Sequence, residues 1–164
     1  MAVETARLRL RYPTLADAPE LLKIFIDVEA QRYTLHFGTL AECRRHIAVH
    51  ERHHRRTGCG PWLVEEKSGG RVIGWGGLYE DPLDRRWGIE VAYSFARPAW
   101  GKGYAGELVA HSLDVARDEL KLDEVVAFSH EANAASRRVL ERAGFVLERF
   151  IPEMDRNFFR RRLL

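Results

Sequence analysis

The sequence predicts a single α/β domain over residues 1–164, a mixed, mostly antiparallel sheet of about seven strands flanked by about four helices. Three observations lead there. Runs with period-two alternation recur along the chain, and three of them stand in hairpin order before residue 97. Apolar stripes at helical spacing, most with a start signal, separate the other strand-like runs. A length of 164 residues suits one domain with a substantial core and is short for two.

Residues 6–11 open the domain as a half-buried strand, with Leu8 and Leu10 on one face and Arg7, Arg9 and Arg11 on the other. Thr14-Leu15-Ala16-Asp17 forms a capping box before an apolar helix with Leu21, Leu22, Ile24, Phe25 and Val28. Residues 30–38 have no period and read as irregular. Thr39-Leu40-Ala41-Glu42 is a second capping box, and its helix runs to Thr57, where Gly58 and Gly60 stop it. That helix carries His46, His50, His53 and His54. His46 and His50 are four apart, a spacing that suits a shared metal. No glutamate completes a His-Glu-x-x-His motif, so a polar helix face is expected and no metal.

Residues 61–67 and 71–79 read as a hairpin about the turn signal Ser68-Gly69-Gly70. Asp81-Pro82-Leu83-Asp84 is the next turn, and residues 87–95 are the third strand. A helical stripe follows, through Ala105, Leu108, Val109, Leu113, Ala116 and Leu120. Residues 124–129 are a short apolar strand, which the helical crossover sets parallel to the 87–95 strand. Residues 133–142 form the last helix, with Ala135, Val139, Leu140 and Ala143 inward and Gly144 ending it. Residues 145–150 and 157–163 close the sheet.

Composition narrows the function classes. Hydrophobic content is 46% and charged content 30%, ordinary for a soluble globular protein. The net charge of +2 makes no case for nucleic acid. Two basic clusters, residues 52–56 and 160–162, read first as solvated faces; the first is also a candidate for steering an acidic acceptor. No run of about 18 apolar residues offers a membrane span. The first residues lack an apolar signal core, so the cytoplasm is the expected location. Cys43 and Cys59 have neither metal-site spacing nor a disulfide-scaffold context.

The stretch that organises the chemistry is Arg97-Pro98-Ala99-Trp100-Gly101-Lys102-Gly103-Tyr104-Ala105-Gly106-Glu107. A strand leads in and a helix leads out, with three glycines between. Glycine lets a backbone approach a ligand, and the first N–H groups of a helix have no internal partners and carry positive partial charge. The combination suits a phosphate, and Lys102 adds a cation. Gly101-x-Gly103-x-x-Gly106 matches the letters of the dinucleotide fingerprint, but that motif needs a strand running straight into the first glycine, and residues 96–100 intervene. The nucleoside-triphosphate loop fails too, because no Gly-Lys-Ser/Thr follows.

This stretch closely resembles the coenzyme A loop of the GNAT superfamily of acetyl-CoA-dependent N-acetyltransferases. The general signature there, Gln/Arg-Gly-x-Gly-x-Gly/Ala, falls on residues 100–105, with Trp100 in the Gln/Arg place. That departure is typical of the branch that acts on ribosomal-protein N-termini. Its wording, Tyr-Trp-Gly-Lys-Gly-Tyr-Ala, is nearly literal here. Residues 5–11 with Thr14 and Asp17 resemble the start of the same branch, and residues 133–145 resemble the second coenzyme A motif. The resemblance covers nearly the whole chain. It implies a GNAT-like sheet, acetyl-CoA as co-substrate, no metal and an amine acceptor. It also implies cofactor contacts from Tyr93, Ser94, Phe95, Arg97, Trp100, Gly101, Lys102, Gly103, Tyr104, Ala105, Gly106, Asn133 and Ser136.

Acetyl transfer from a thioester to an amine needs few parts. The amine must be neutral, the oxyanion needs hydrogen-bond donors, and the leaving thiolate benefits from a proton donor. Glu90 is the candidate base, on the strand before the glycine loop with Ile89, Val91, Tyr93 and Phe95 on the opposite face. Two alternatives stand beside it: a strand-edge glutamate paired with Arg85 or Arg86, and Glu80 as the base instead. The resemblance makes Asn133 a partner of the pantetheine arm and Ser136 the donor to the leaving thiolate. As plain structure, Asn133 caps a helix and Ser136 sits in its first turn. Relatives often place a tyrosine acid where Leu140 stands, so that acid is absent. The expected function is acetyl transfer from acetyl-CoA to a primary amine, with a protein N-terminus as one candidate acceptor. The alternatives are a small-molecule amine such as an amino acid analogue, polyamine or antibiotic, and a coenzyme A-binding protein without catalysis. A homodimer stays open.

Overall fold

The computed structural model describes residues 2–164. Among the described residues, eight strands and four helices follow one another. They are β1 (Val3–Glu4), β2 (Leu8–Arg11), α1 (Ala18–Phe25), α2 (Leu40–Thr57), β3 (Trp62–Glu66), β4 (Arg71–Glu80) and β5 (Ile89–Phe95). Then come α3 (Tyr104–Asp114), β6 (Glu124–Ser129), α4 (Ala134–Arg142), β7 (Val146–Ile151) and β8 (Arg156–Arg162). One mixed sheet takes the order β1-β2-β3-β4-β5-β6-β8-β7. Every neighbouring pair is antiparallel except β5 with β6, the pair joined by the α3 crossover. The expected sheet of about seven strands therefore has eight. The extra one, β1, is two residues long and too short to show alternation.

The helices cover the sheet on both faces. α1 and α2 lay Leu21, Phe25, Cys43 and Ile47 over Leu63 of β3 and Trp75 of β4. On the other face α3 and α4 pack Leu108, Val109 and Leu140 against strand residues including Leu8, Val64, Val91, Val125 and Phe159. Both capping boxes form. Asp17 receives the Thr14 N–H and also both Nη atoms of Arg11 at 2.7 and 2.9 Å, so β2 anchors the start of α1. Glu42 and Thr39 cap α2 reciprocally, and Gly58 ends it with φ +74°.

Five local expectations change. Val28 lies beyond the end of α1 and is exposed, because the chain turns at Asp27, whose carboxylate takes the Ala30 N–H. The histidine face of α2 is inward, not polar: His50 and His53 are buried. His46 rests 4.9 Å from both Phe37 and Trp75, and His54 stacks 3.6 Å above Tyr12. Cys43 and Ile47 set the buried stripe of α2, and the histidines extend it. Trp87 belongs to a 3₁₀ turn, not to β5, because Gly88 turns the chain with φ +79° and Asp84 receives the indole N–H. The stripe after the glycine loop ends in a π turn, Val115–Glu119, where Leu120 N–H reaches Val115 O. Ala135 is exposed, leaving Leu140 as the buried anchor of α4.

Candidate active site

A break in the sheet makes the site. β5 and β6 share one rung, Glu90 with Val126, and then continue to Phe95 and Ser129 without another. Two strands that part after one rung open a wedge between them. Backbone groups on its walls lack strand partners and are available to a ligand. The wedge holds a cleft whose strand walls are Val91, Ala92 and Tyr93 on one side and Phe128, Ser129 and His130 on the other. Asn133 at the cap of α4, with Ser136 and Leu140 of that helix, closes it from one face, and Tyr33 and Thr34 from the opposite face. The segment carrying Tyr33 is held down at several points. Tyr33 stacks on His130 at 4.9 Å, Arg156 donates to Tyr33 O at 3.0 Å, and Arg97 pairs with Asp27 at 2.6 Å.

The glycine loop starts where β5 ends. Gly101 and Gly103 take φ +73° and +82°, the left-handed region that glycine enters without strain. Gly103 is also the N-cap of α3, and it offers no side chain to the helix start. Glu107 N–H is bonded to Gly103 O, so the N–H groups of Tyr104, Ala105 and Gly106 precede the first helical bond. Arg7 supports the loop from behind, donating to Lys102 O at 2.7 Å and to Glu107 at 2.8 Å. Lys102 and Gly106 stay exposed. Gly106 has an ordinary helical backbone, and a Cβ added there would meet nothing within 4 Å. Packing does not require glycine at this place, where it costs about 1 kcal/mol against alanine. A ligand lying on the helix start would.

From the loop a groove runs between α3 and α4. Its lining includes Gly103, Gly106 and Ala110 on one side and Val139, Arg142 and Ala143 on the other. Arg117, Arg142 and Arg161 line it as well; Arg142 and Arg161 suit an anionic ligand end, while Arg117 is held by Asp114, which also lines the groove, and by Asp118. None of these three was picked out as a site residue by sequence reasoning. Arginine is frequent in this chain, and only the packing of α3, α4 and β8 brings these three together.

The structure distributes the expected cofactor residues unevenly. Tyr93, Asn133 and Ser136 line the cleft, and Gly103 and Gly106 line the groove. Ser94 faces the Tyr33 segment, with Oγ 3.4 Å from Thr34. Phe95 is buried, and its carbonyl accepts the Trp100 indole N–H at 2.9 Å. Tyr104 turns its ring inward and bonds Glu66, so it offers the loop only main chain. The Arg97 guanidinium is engaged with Asp27.

Glu90 occupies the rung where the wedge begins and is 7% exposed. Burial raises its carboxyl to about 7, Asp81 adds to the rise, and Tyr79, its cross-strand partner, opposes it. No ion pair forms with Arg85 or Arg86: Arg85 lies 3.7 Å from Glu80, and Arg86 pairs with Asp84. Glu80 is engaged elsewhere, with His53 at 3.1 Å and Arg56 at 3.4 Å. Asn133 does cap α4, taking the Ser136 N–H on Oδ1 at 3.1 Å. The Ser136 hydroxyl lies 3.0 Å from that of Tyr93, whose phenol burial pushes up to about 12. Leu140 is buried beside them. No group of three or more histidine, cysteine or acidic residues among the described residues is placed to hold a metal ion.

Residues 7–146 match the acetyltransferase (GNAT) domain family. The chain is 28% identical to the Bacillus subtilis protein YkkB over 153 residues, which is 93% of this chain and 89% of that one. Among solved structures it is similar to an acetyltransferase from Agrobacterium tumefaciens, with TM-score 0.86, 23% identity, and 98% and 94% of the two chains covered. A ribosomal-protein-S5-alanine acetyltransferase from Vibrio fischeri superposes with TM-score 0.80 at 17% identity, over 99% and 96% of the two chains. At these identities the two structures speak for the fold alone.

Proposed function

We infer, for a chain that belongs to the GNAT family of acetyltransferases and uses acetyl-CoA, that the acceptor is a primary amine at a protein N-terminus. The observation that carries this is the buried Glu90 at the rung where β5 and β6 part. An α-amino group loses its proton near 8, whereas a lysine or alkylamine does so above 10. A carboxyl raised to about 7 is close to the first and far from the second. Transfer of the amine proton to Glu90 is therefore closer to balance for an N-terminus than for a lysine. The likeness of the loop wording to that of the ribosomal-protein branch supports the same acceptor.

The residues divide the work. When bound, acetyl-CoA supplies an acetyl group activated as a thioester. The N–H groups of Tyr104, Ala105 and Gly106, with Lys102, hold its phosphates at the start of α3. Arg142 and Arg161 line the groove beyond. Asn133 uses Oδ1 on its own helix and keeps its amide N–H groups for the arm. Glu90 takes the amine proton, and the hydroxyl of Ser136 donates to the departing sulfur. A small-molecule amine is the second reading, favoured by the roof that Tyr33 and Thr34 form over the cleft.

The experiment is an acceptor screen following thiol release from acetyl-CoA. It compares ribosomal-protein N-terminal peptides with a free α-amine, the same peptides blocked at the N-terminus with one free lysine, and small amines. Free N-termini should give the highest kcat/KM. Faster turnover of the blocked, lysine-bearing peptides or of a polyamine would overturn the N-terminal acceptor.

A further inference from the structure

The phenol that Leu140 fails to supply from α4 is present on the opposite wall of the cleft. Tyr93 reaches across from β5, and its hydroxyl stands 3.0 Å from Ser136 Oγ and 3.4 Å from the carbonyl oxygen of Ser136. Both side chains line the wedge. Two other tyrosines lie near the loop and the cleft: Tyr104 is bonded to Glu66 outside the cleft, and Tyr33, which also lines the cleft, is stacked on His130.

We propose that Tyr93 is a positioning residue for the leaving group, donating to Ser136 Oγ so that the serine hydrogen is left for the cleft. The proposal rests on the role given to Ser136 above. A lone serine in the first turn of a helix has competing acceptors nearby, the backbone carbonyls of its own segment, and its hydrogen is easily spent on them. A pair of hydroxyls at 3.0 Å shares one hydrogen between the two oxygens and leaves the second free. If Tyr93 donates to Ser136 Oγ, the serine hydrogen is the free one. If the serine donates instead, the tyrosine hydrogen falls to the Ser136 carbonyl at 3.4 Å, so the first arrangement is the one that serves a leaving group. In that arrangement the serine donor stands at the junction of strand and helix that lines the cleft. Burial keeps the phenol protonated across the working pH range, so the pair does not lose its hydrogen as pH rises. A thiol ionises near 8.5, well below this phenol, so the pair stabilises the leaving thiolate by donating a hydrogen bond and does not protonate it outright. Water completes the proton transfer after release.

The test is a double-mutant cycle on the full chain with acetyl-CoA and the best acceptor of the screen. Tyr93→Phe removes one oxygen and keeps the ring, and Ser136→Ala removes the other. Each should lower kcat about tenfold with KM for acetyl-CoA nearly constant, the size of one hydrogen bond made in the transition state. The double variant should be no slower than the slower single variant, within about twofold, because the two groups act as one. A second readout does not use turnover. In the complex with free coenzyme A, the pH at which the bound thiol ionises, followed by thiolate absorbance, should rise in both variants. Losses that multiply in the double variant, or Tyr93→Phe with normal kcat and an unmoved thiol beside a slow Ser136→Ala, overturn the role of Tyr93 alone. A normal kcat in Ser136→Ala overturns the serine reading and this one with it.

Discussion

Burial raises the Glu90 carboxyl to about 7, so its carboxylate form is scarce below that pH and dominant above it. As a general base it makes kcat/KM fall on the acid side, with a midpoint near 7 in the free enzyme. The neighbouring Tyr79 hydroxyl opposes the rise, so Tyr79→Phe should move that limb to higher pH while the alkaline plateau survives. A limb that stays in place would remove Tyr79 from the account. Stability carries the opposite sign from activity. The folded state holds the Glu90 proton more tightly than the unfolded chain, so stability is full below pH 4.5 and is lost as pH rises through about 7. Glu90→Gln should then melt higher than the parent at pH 8 and alike near pH 4, a difference of about 3 kcal/mol. Glu90 was legible in the sequence as an acidic residue on a strand facing away from apolar neighbours. Tyr93 was legible only as a family contact, because its partner Ser136 lies on a helix 43 residues away.

At the scale of elements, α2 is where local pattern misleads. Cys43 and Ile47 mark a buried stripe four residues apart, but the positions that extend it are histidines, which look polar in a sequence and are neutral when buried. Desolvation lowers His46 to about 3 and His50 to about 4, with the neighbouring ring adding to each. Between about pH 6.5 and 4 the unfolded chain therefore binds more protons than the folded one, and stability falls as pH drops. His46→Phe, placed among Phe25, Phe37 and Trp75, should flatten that dependence when denaturation is measured at pH 7 and pH 5. An unchanged slope would mean that this ring does not titrate on unfolding. The glycine loop, by contrast, was readable as strand, turn and helix start. What could not be read is which glycine serves the backbone and which the ligand. Gly103 needs its φ of +82°, so a bulky residue there strains the chain as well as the site. Gly106 does not. Gly106→Val should lower coenzyme A affinity more than tenfold by calorimetry without lowering the melting temperature, since any non-glycine residue other than proline suits a helix better. Unchanged affinity would detach the phosphates from the helix start.

The molecule as a whole turns on a feature that no local pattern encodes. The parallel placement of β6 beside β5 follows from the crossover, and the antiparallel run β3-β4-β5 is what alternation and turn signals imply. That the pair keeps only the Glu90–Val126 rung is decided by long-range packing, with α4 on one face and the Tyr33 segment on the other. This parting brings the first turn of α4 and the Tyr33 segment onto one cleft, with Glu90 buried at the rung where the strands part. The claim to test is that the cleft performs acetyl transfer to an amine with Glu90 as its base. The most direct measurement is kcat for thiol release from acetyl-CoA, with an N-terminal peptide as acceptor, in the parent and in Glu90→Gln at pH 8, beside coenzyme A affinity by calorimetry. The account predicts a loss of about 10²–10⁴-fold in turnover with affinity unchanged. Equal turnover in the two proteins would contradict it.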